Sequence, residues 1–429
     1  MREVLKGNIV HAPSLGVLET VENGYLVLDD GKIAGIYKEL PADCAHLPCH
    51  DYGDRIIMQS FADMHLHAPQ YPMLGMGMDL PLMDWLSTYT FRTEARFADT
   101  EYARRTYRRL AEELIRNGTT RVCMFSSLHV EATWILMEEL ERVGITGYVG
   151  KVNMDRNALP GVLEETTEES LRETLRWLDG CRSETVKPIL TPRFTPSCSD
   201  VLMEQLGVLA QERGLYVQSH LSESAGEIEL VQRLHPSLSY WQTYEKSGLW
   251  RDHTLMAHCV HSDAQERRAM KDRGVVVVHC ADSNVNICSG VCPVRLMLDE
   301  GLWVTLGSDI AGGAQLPMYQ VITATIRASK ARRVLDGWNS DFLTEAEAYY
   351  LGTTAGHRYF GAGNGFAVGD ALHAVVLDDS EFPEPARELS VQERFERALY
   401  LMQRRHVTDV WSQGKCVVKN GAVIANAAI

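Results

Sequence analysis

Two histidines with one residue between them, His65 and His67, close the stretch Phe61-Ala62-Asp63-Met64-His65-Leu66-His67. Side chains alternate along a β-strand, so residues two apart share a face and can address one metal ion together. A strand that merely ends in two polar residues has the same spelling. The rest of the chain bears on the choice: Arg193, His220, His258, His279 and Asp309 each end a separate β-type run, where a plain core would finish in Val, Ala or Gly. A catalytic zinc draws three or four ligands from His and carboxylate and keeps a place for water, which makes His65, His67, His220 and Asp309 the candidate ligands. A metal lowers the pKa of bound water to about 7, and a neighbouring carboxylate can take the remaining proton. Asp309 can serve as ligand and base. No lysine ends the fourth run, where Lys187 stands only at the start, so one metal is expected rather than two.

Glu223 follows His220 by three residues and could carry a proton from water to a ring nitrogen and then to a departing amine. Ser222-Glu223-Ser224 also reads as the start of a helix. His258 could hydrogen-bond a hydroxide or a developing oxyanion, or could be a fifth ligand or a structural histidine. His279 suits a supporting role, orienting another residue. Cys288 and Cys292 have no second pair beside them, which argues against a structural zinc.

Positioning these residues requires strands that end together. Apolar runs at 56–67, 120–125, 146–153, 186–194, 215–220, 254–258, 275–279 and 303–309 alternate with helical periodicity at 100–116, 131–143, 168–178, 200–213 and 264–273. Eight such units predict an α/β chain with a (β/α)8 TIM-like barrel, whose chemistry sits at the C-terminal strand ends. Short β-type runs with Asp30-Gly31 and Asn420-Gly421 turns mark the two chain ends, which are expected to pair in one small β-sandwich. The expected division is 1–57 with 366–429 for the sandwich and 58–365 for the barrel. Residues 71–92, rich in Met and Leu, form an apolar loop suited to covering a flat ligand or to packing on the rim.

At 429 residues and 45% hydrophobic content the chain can bury a large core. Its formal net charge of -15 disfavours nucleic acid as a partner. No run approaches the ~20 apolar residues of a membrane helix, and no signal peptide is evident, so no membrane association and a cytoplasmic location are expected. Ten scattered cysteines are expected to remain reduced.

Taken together, the stretch Phe61 to His67, Ser219-His220-Leu221-Ser222-Glu223, Ala257-His258, His279-Cys280-Ala281-Asp282-Ser283-Asn284 and Gly307-Ser308-Asp309 resembles the amidohydrolase superfamily, in its single-metal deaminase branch. Within the branch, His67-Ala68-Pro69-Gln70-Tyr71, Asp79-Leu80-Pro81-Leu82, Gly150-Lys151-Val152-Asn153-Met154-Asp155 and Pro188 to Phe194 resemble the guanine deaminases. The resemblance covers nearly the whole chain. It implies that His65, His67, His220 and Asp309 hold one divalent metal, Zn2+ or Fe2+, and that Glu223 shuttles protons. It also implies that Gln70, Arg193 and Phe194 contact a purine base, and that the chain is a homodimer. The implied reaction is attack of a metal-bound hydroxide on C2 of guanine, yielding xanthine and ammonia. Another aminated heterocycle (a triazine, a pterin or an oxidised guanine) would need the same metal chemistry, and a non-catalytic scaffold is the alternative of a different class. Ala281-Asp282 departs from the Pro-Asn that relatives show there, which bears on the loop after the seventh strand.

Overall fold

The structure is a computed structural model in which residues 1–424 are described, so the last five residues of the expected C-terminal segment, 425–429, lie outside the described residues. The two chain ends share one eight-stranded sheet. Its N-terminal half is Lys32–Tyr37, Val17–Asp29, Arg2–Ser14 and Cys49–Gln59, and its C-terminal half is Ala374–Leu377, Val407–Ser412, Lys415–Lys419 and Ala422–Val423. The halves join where Ala374–Leu377 runs antiparallel to Cys49–Gln59. Both expected turns are present: Asp30-Gly31 and Asn420-Gly421 adopt positive φ at both residues, as a tight hairpin requires. Leu5, Ile9, Leu28, Ile57, Val376 and Trp411 pack together on this sheet.

Between the ends lie two four-stranded parallel sheets. The first orders Phe61–His67, Thr119–Phe125, Thr146–Gly150 and Val186–Pro188; the second orders Gln218–Leu221, Leu255–His258, Val276–His279 and Trp303–Leu306. A parallel bridge from Leu190 to Val217 links them on one side. On the other, the Asp309 amide donates to the His65 carbonyl at 2.8 Å and the His67 amide to the Ile310 carbonyl at 3.0 Å. Val276, Val277 and Val278 are all buried, the pattern of a strand covered on both faces.

Helices fall between the strands as the periodicity predicts. Helix Thr100–Arg116 buries Ala103, Tyr107, Leu110, Ala111 and Leu114 on one face, and the Asp99 side chain caps it by accepting from the amides of Glu101 and Tyr102. Helices Asp200–Arg213 and Ala264–Arg273 each stop at a left-handed glycine, Gly214 and Gly274.

Four expected elements differ in detail, the run 146–153 among them, which parts at Lys151 into Thr146–Gly150 and Val152–Asn153. The run 56–67 is two strands that part at Ser60, because Ile56 to Gln59 pair with the C-terminal half of the end sheet while Phe61 onward pairs with Thr119–Phe125. The run 186–194 is interrupted: Pro188 and Pro192 lack the amide hydrogen a continuous ladder needs, and only Thr191–Pro192 resumes as a strand, against Val152–Asn153. The last strand stops at Leu306, so Asp309 stands beyond it on the loop.

That loop is held close. A Cβ added to Gly307 would lie 2.8 Å from Cβ of His65 and 2.9 Å from its carbonyl oxygen. We expect Gly307→Ala to lower stability by about 1–3 kcal/mol through overpacking, read as an earlier midpoint in urea unfolding; an unchanged midpoint would show that the first strand gives way freely.

Candidate active site

The residues singled out by type and spacing converge at the C-terminal ends of the parallel strands. The rings of His65 and His67 lie edge-on at 5.0 Å, and His220 stacks 5.1 Å from His67. Asp309 Oδ1 is 3.2 Å from His65 Nε2 and 3.5 Å from His67 Nε2. Nε2 of His67 and Nε2 of His220 approach to 3.1 Å. His258 completes the ring, 5.4 Å from both His65 and His220, with its Nε2 3.5 Å from Glu223 Oε2. All of these side chains are buried.

The donor set fits a divalent cation. Two groups, His65 with His67 and Asp309, and His65 with His220 and His258, each bring three ligand atoms within 4.8 Å of one another. Nδ1 of His220 donates to the Arg193 carbonyl at 2.6 Å, which leaves its Nε2 as an inward lone pair. Nδ1 of His258 is held by Asn284 Oδ1 at 2.9 Å in the same manner. Nε2 of His65 is buried and meets only Asp309 Oδ1, at 3.2 Å, without a well-aligned hydrogen bond. Burial pushes His65, His67 and His220 below the usual imidazole range, so their nitrogens favour the neutral, ligating form. Zinc and iron both accept such a set.

Local backbone geometry aims these groups. Ser222, His258, Cys259 and Asp309 all take positive φ, at 47°, 73°, 50° and 45°, where non-glycine residues are strained. Such conformations persist when the surroundings over-determine them, and they cluster at functional sites. Ser283 donates its hydroxyl to Asp309 Oδ2 at 2.5 Å. Burial raises the Asp309 carboxyl, but His65, His258 and this hydroxyl outweigh it and hold the group well below the usual carboxylate range. Glu223 behaves in the opposite way. Burial pushes it up to about 7, against the pull of His258 and with the help of Glu227 and Asp309, while Ser289 donates to its Oε1 at 3.1 Å. A carboxyl there can both hold and release a proton near neutrality. The helix-start reading of this segment also holds, one residue on: Ser224 caps helix Ala225–Leu234 with Glu227 as its capping-box partner, and Glu223 precedes the cap.

Gln70, Arg193 and Phe194 line the same pocket as His67, His220, Glu223, His258 and Asp309, and Leu82, Trp85, Leu86 and Ile287 supply its apolar part. The 71–92 segment is not an irregular loop; it carries short helices, Leu82–Trp85 and Phe91–Ala95 among them, with a π-helical turn between. His279 orients no other residue through a hydrogen bond: both of its ring nitrogens are without a partner, and burial pushes it down to about 4; His258 is oriented by Asn284. At the Ala281-Asp282 departure, Asp282 accepts from the Ala314 amide at 2.7 Å, tying the loop after the seventh strand to the loop carrying Asp309. One residue went unread in the sequence. Glu94, 2% exposed, binds Arg193 through both carboxylate oxygens, at 2.7 and 3.1 Å, and takes Gln70 Nε2 at 2.9 Å. A lone glutamate in an apolar segment carries no periodic signal that separates it from a solvated one.

Two outcomes follow from this geometry. His67→Ala removes one imidazole from the shared cluster, and elemental analysis is expected to find well under one divalent metal per chain; full occupancy would show that the remaining groups suffice. Glu266, which accepts from Ser222 at 3.1 Å and from Ser262, is pushed up by burial to about 7. A carboxyl whose folded pKa is raised binds more protons folded than unfolded, so stability falls as pH rises from about 4.5 through 7, by about 3 kcal/mol in all. Glu266→Gln is expected to remove that loss, narrowing the difference between chemical melts at pH 5 and pH 8; an unchanged difference would assign the loss elsewhere.

Comparison with known proteins places this geometry. Residues 56–421 match the Amidohydrolase family. The guanine deaminase of Dictyostelium discoideum is 34% identical over 441 residues, spanning 96% of this chain and 97% of that one. The guanine deaminase of Mus musculus is 34% identical, spanning 97% of this chain and 96% of that one. The crystal structure of guanine deaminase from C. acetobutylicum with bound guanine in the active site superposes with a TM-score of 0.93 at 40% identity, covering 97% of this chain and 100% of that one. The chain belongs to the amidohydrolase family, with guanine deaminases as its relatives over nearly its whole length.

Proposed function

We propose that this chain hydrolyses guanine to xanthine and ammonia. The observation that carries the reading is the pairing, in one buried pocket, of an Arg193–Gln70 wall with a histidine–aspartate cluster beside the Glu223 carboxyl. The guanine-bound relative at 40% identity supports it.

In this reading His65, His67, His220 and Asp309 hold one divalent metal, most readily zinc. When bound, such an ion lowers the pKa of a coordinated water to about 7. The side chains do the rest. Water gives one proton to Glu223, which passes it to N3 of the base as the oxygen bonds to C2; the second proton of that oxygen, taken up by Asp309 or Glu223, goes to the amine as the C2–N bond breaks and C2=O forms, releasing ammonia. His258, fixed through Asn284, stands where charge develops on the attacking oxygen. Arg193 suits O6 and N7 of guanine, two adjacent acceptors that match a guanidinium. Phe194 packs on the purine face and Gln70 binds an edge with both donor and acceptor character.

The same reading takes the two parallel sheets as a (β/α)8 barrel over 58–365 and the end sheet as a small sandwich of 1–57 with 366–429. The linking hydrogen bonds at Leu190–Val217 and His65–Asp309 support closure. It further takes the protein as a cytoplasmic homodimer. Free thiols at all ten cysteines suit a reducing compartment, and no helix among the described residues is long and apolar enough to cross a membrane.

Metal-replete protein mixed with guanine should release xanthine and ammonia one for one, followed by ultraviolet absorbance and an ammonia assay. Conversion of a triazine, pterin or oxidised guanine instead would overturn the substrate. Glu223→Gln is expected to lower kcat by roughly 100- to 10,000-fold with metal content unchanged; wild-type kcat would remove Glu223 from the proton path.

A further inference from the structure

Resting on the guanine reading, we infer that Glu94 is a positioning residue that decides which purine edge the pocket accepts. It does not line the pocket. It sits on helix Phe91–Ala95 behind two residues that do, and it spends its oxygens on them: Oε2 takes Arg193 Nη1 at 2.7 Å, and Oε1 takes Arg193 Nη2 at 3.1 Å and Gln70 Nε2 at 2.9 Å. A guanidinium is planar, so two bonds to one carboxylate fix its rotation and direct its remaining N–H groups. The same carboxylate decides which end of the Gln70 amide is nitrogen, because Gln70 Oε1 is then left to accept from the Ala311 amide at 3.0 Å. One carboxylate thereby orients both polar groups of the substrate wall.

The consequence is selectivity. Arginine offers donors and no acceptor, so an atom facing it must be an acceptor. A 6-oxopurine presents O6 and N7 there. A 6-aminopurine sets an amine donor against a donor, and a buried donor without a partner is costly. Glu94 also offsets the Arg193 charge beside the histidine cluster, through an ion pair at 2.7 Å. The pocket keeps a cationic donor without carrying an unpaired cation.

The test compares guanine with 2,6-diaminopurine, which carries the same C2 amine but an amine at C6. In Glu94→Gln we expect KM for guanine to rise about tenfold or more, kcat to stay within about threefold, bound metal to be unchanged, and the preference for guanine to shrink by about tenfold. Wild-type KM and preference, or a loss confined to kcat, would overturn the inference. Should Glu94→Gln fail to fold, the pair Arg193→Met with Glu94→Gln leaves no buried charge behind. Its KM is expected to exceed that of Arg193→Met alone by no more than Gln70→Ala adds to Arg193→Met, because Glu94 acts through Arg193 and Gln70 only; a larger loss would overturn the inference. A wild-type chain that holds metal but converts no guanine overturns the reaction as well, whereas an active wild type indistinguishable from Glu94→Gln overturns only the role of Glu94.

Discussion

An ionisable group removed from water must find a partner or lose its charge, and this constraint governs the centre of the molecule. His65, His67, His220, His258, Glu223, Asp309, Arg193 and Glu94 are each no more than 7% exposed. No one of them could be buried there alone. The histidines face a carboxylate, Asp309 takes a serine hydroxyl, and the guanidinium of Arg193 meets Glu94. Where the accounting stops short, at the inward lone pair of His220 and at His65 Nε2, which meets only Asp309 Oδ1 at 3.2 Å, the missing partner has the character of a cation.

The frame around this cluster is built to keep it still. Asp63, on the first parallel strand, accepts from the backbone amide and hydroxyl of Ser308 at 2.9 and 2.5 Å, which pins the last strand's loop to the strand that carries His65 and His67. Gly307 permits that approach, since any Cβ there would strike His65. Strained backbone at Ser222, His258 and Asp309 is tolerated because neighbouring strands and loops hold it from several sides. Rigidity suits electrostatic catalysis, in which dipoles set in place beforehand need no reorganisation at the moment of reaction.

A second layer shapes the pocket. The helical 71–95 region brings Leu82, Trp85 and Leu86 over the pocket as an apolar cover, and the Trp85 indole is anchored by donating to the Met76 carbonyl at 2.9 Å. The same segment supplies Glu94, so the cover and the orientation of the polar wall are set by one stretch of chain. The end sheet stands apart from this chemistry; its role in the fold is to tie the N-terminal and C-terminal runs together through Cys49–Gln59 and Ala374–Leu377.

Much of this was legible in the residues themselves. Strand and helix periodicities located the alternating units, because burial on a 2-residue or 3.6-residue repeat is a local property of the chain. Asp30-Gly31 and Asn420-Gly421 marked their hairpins, since few residues tolerate two successive positive φ angles. Polar residues at the ends of apolar runs marked where His65, His67, His220, His258 and Asp309 would gather, because parallel strands end on one side. Tertiary structure alone decided the remainder. The break at Ser60 depends on which distant strand competes for Ile56 to Gln59, and the orienting of His258 by Asn284 on the reach of a helix residue to the end of the neighbouring strand. Glu94 is the clearest case: it meets Arg193 across 99 residues of sequence, and a carboxylate's partner at that separation is set by the path of the chain in three dimensions.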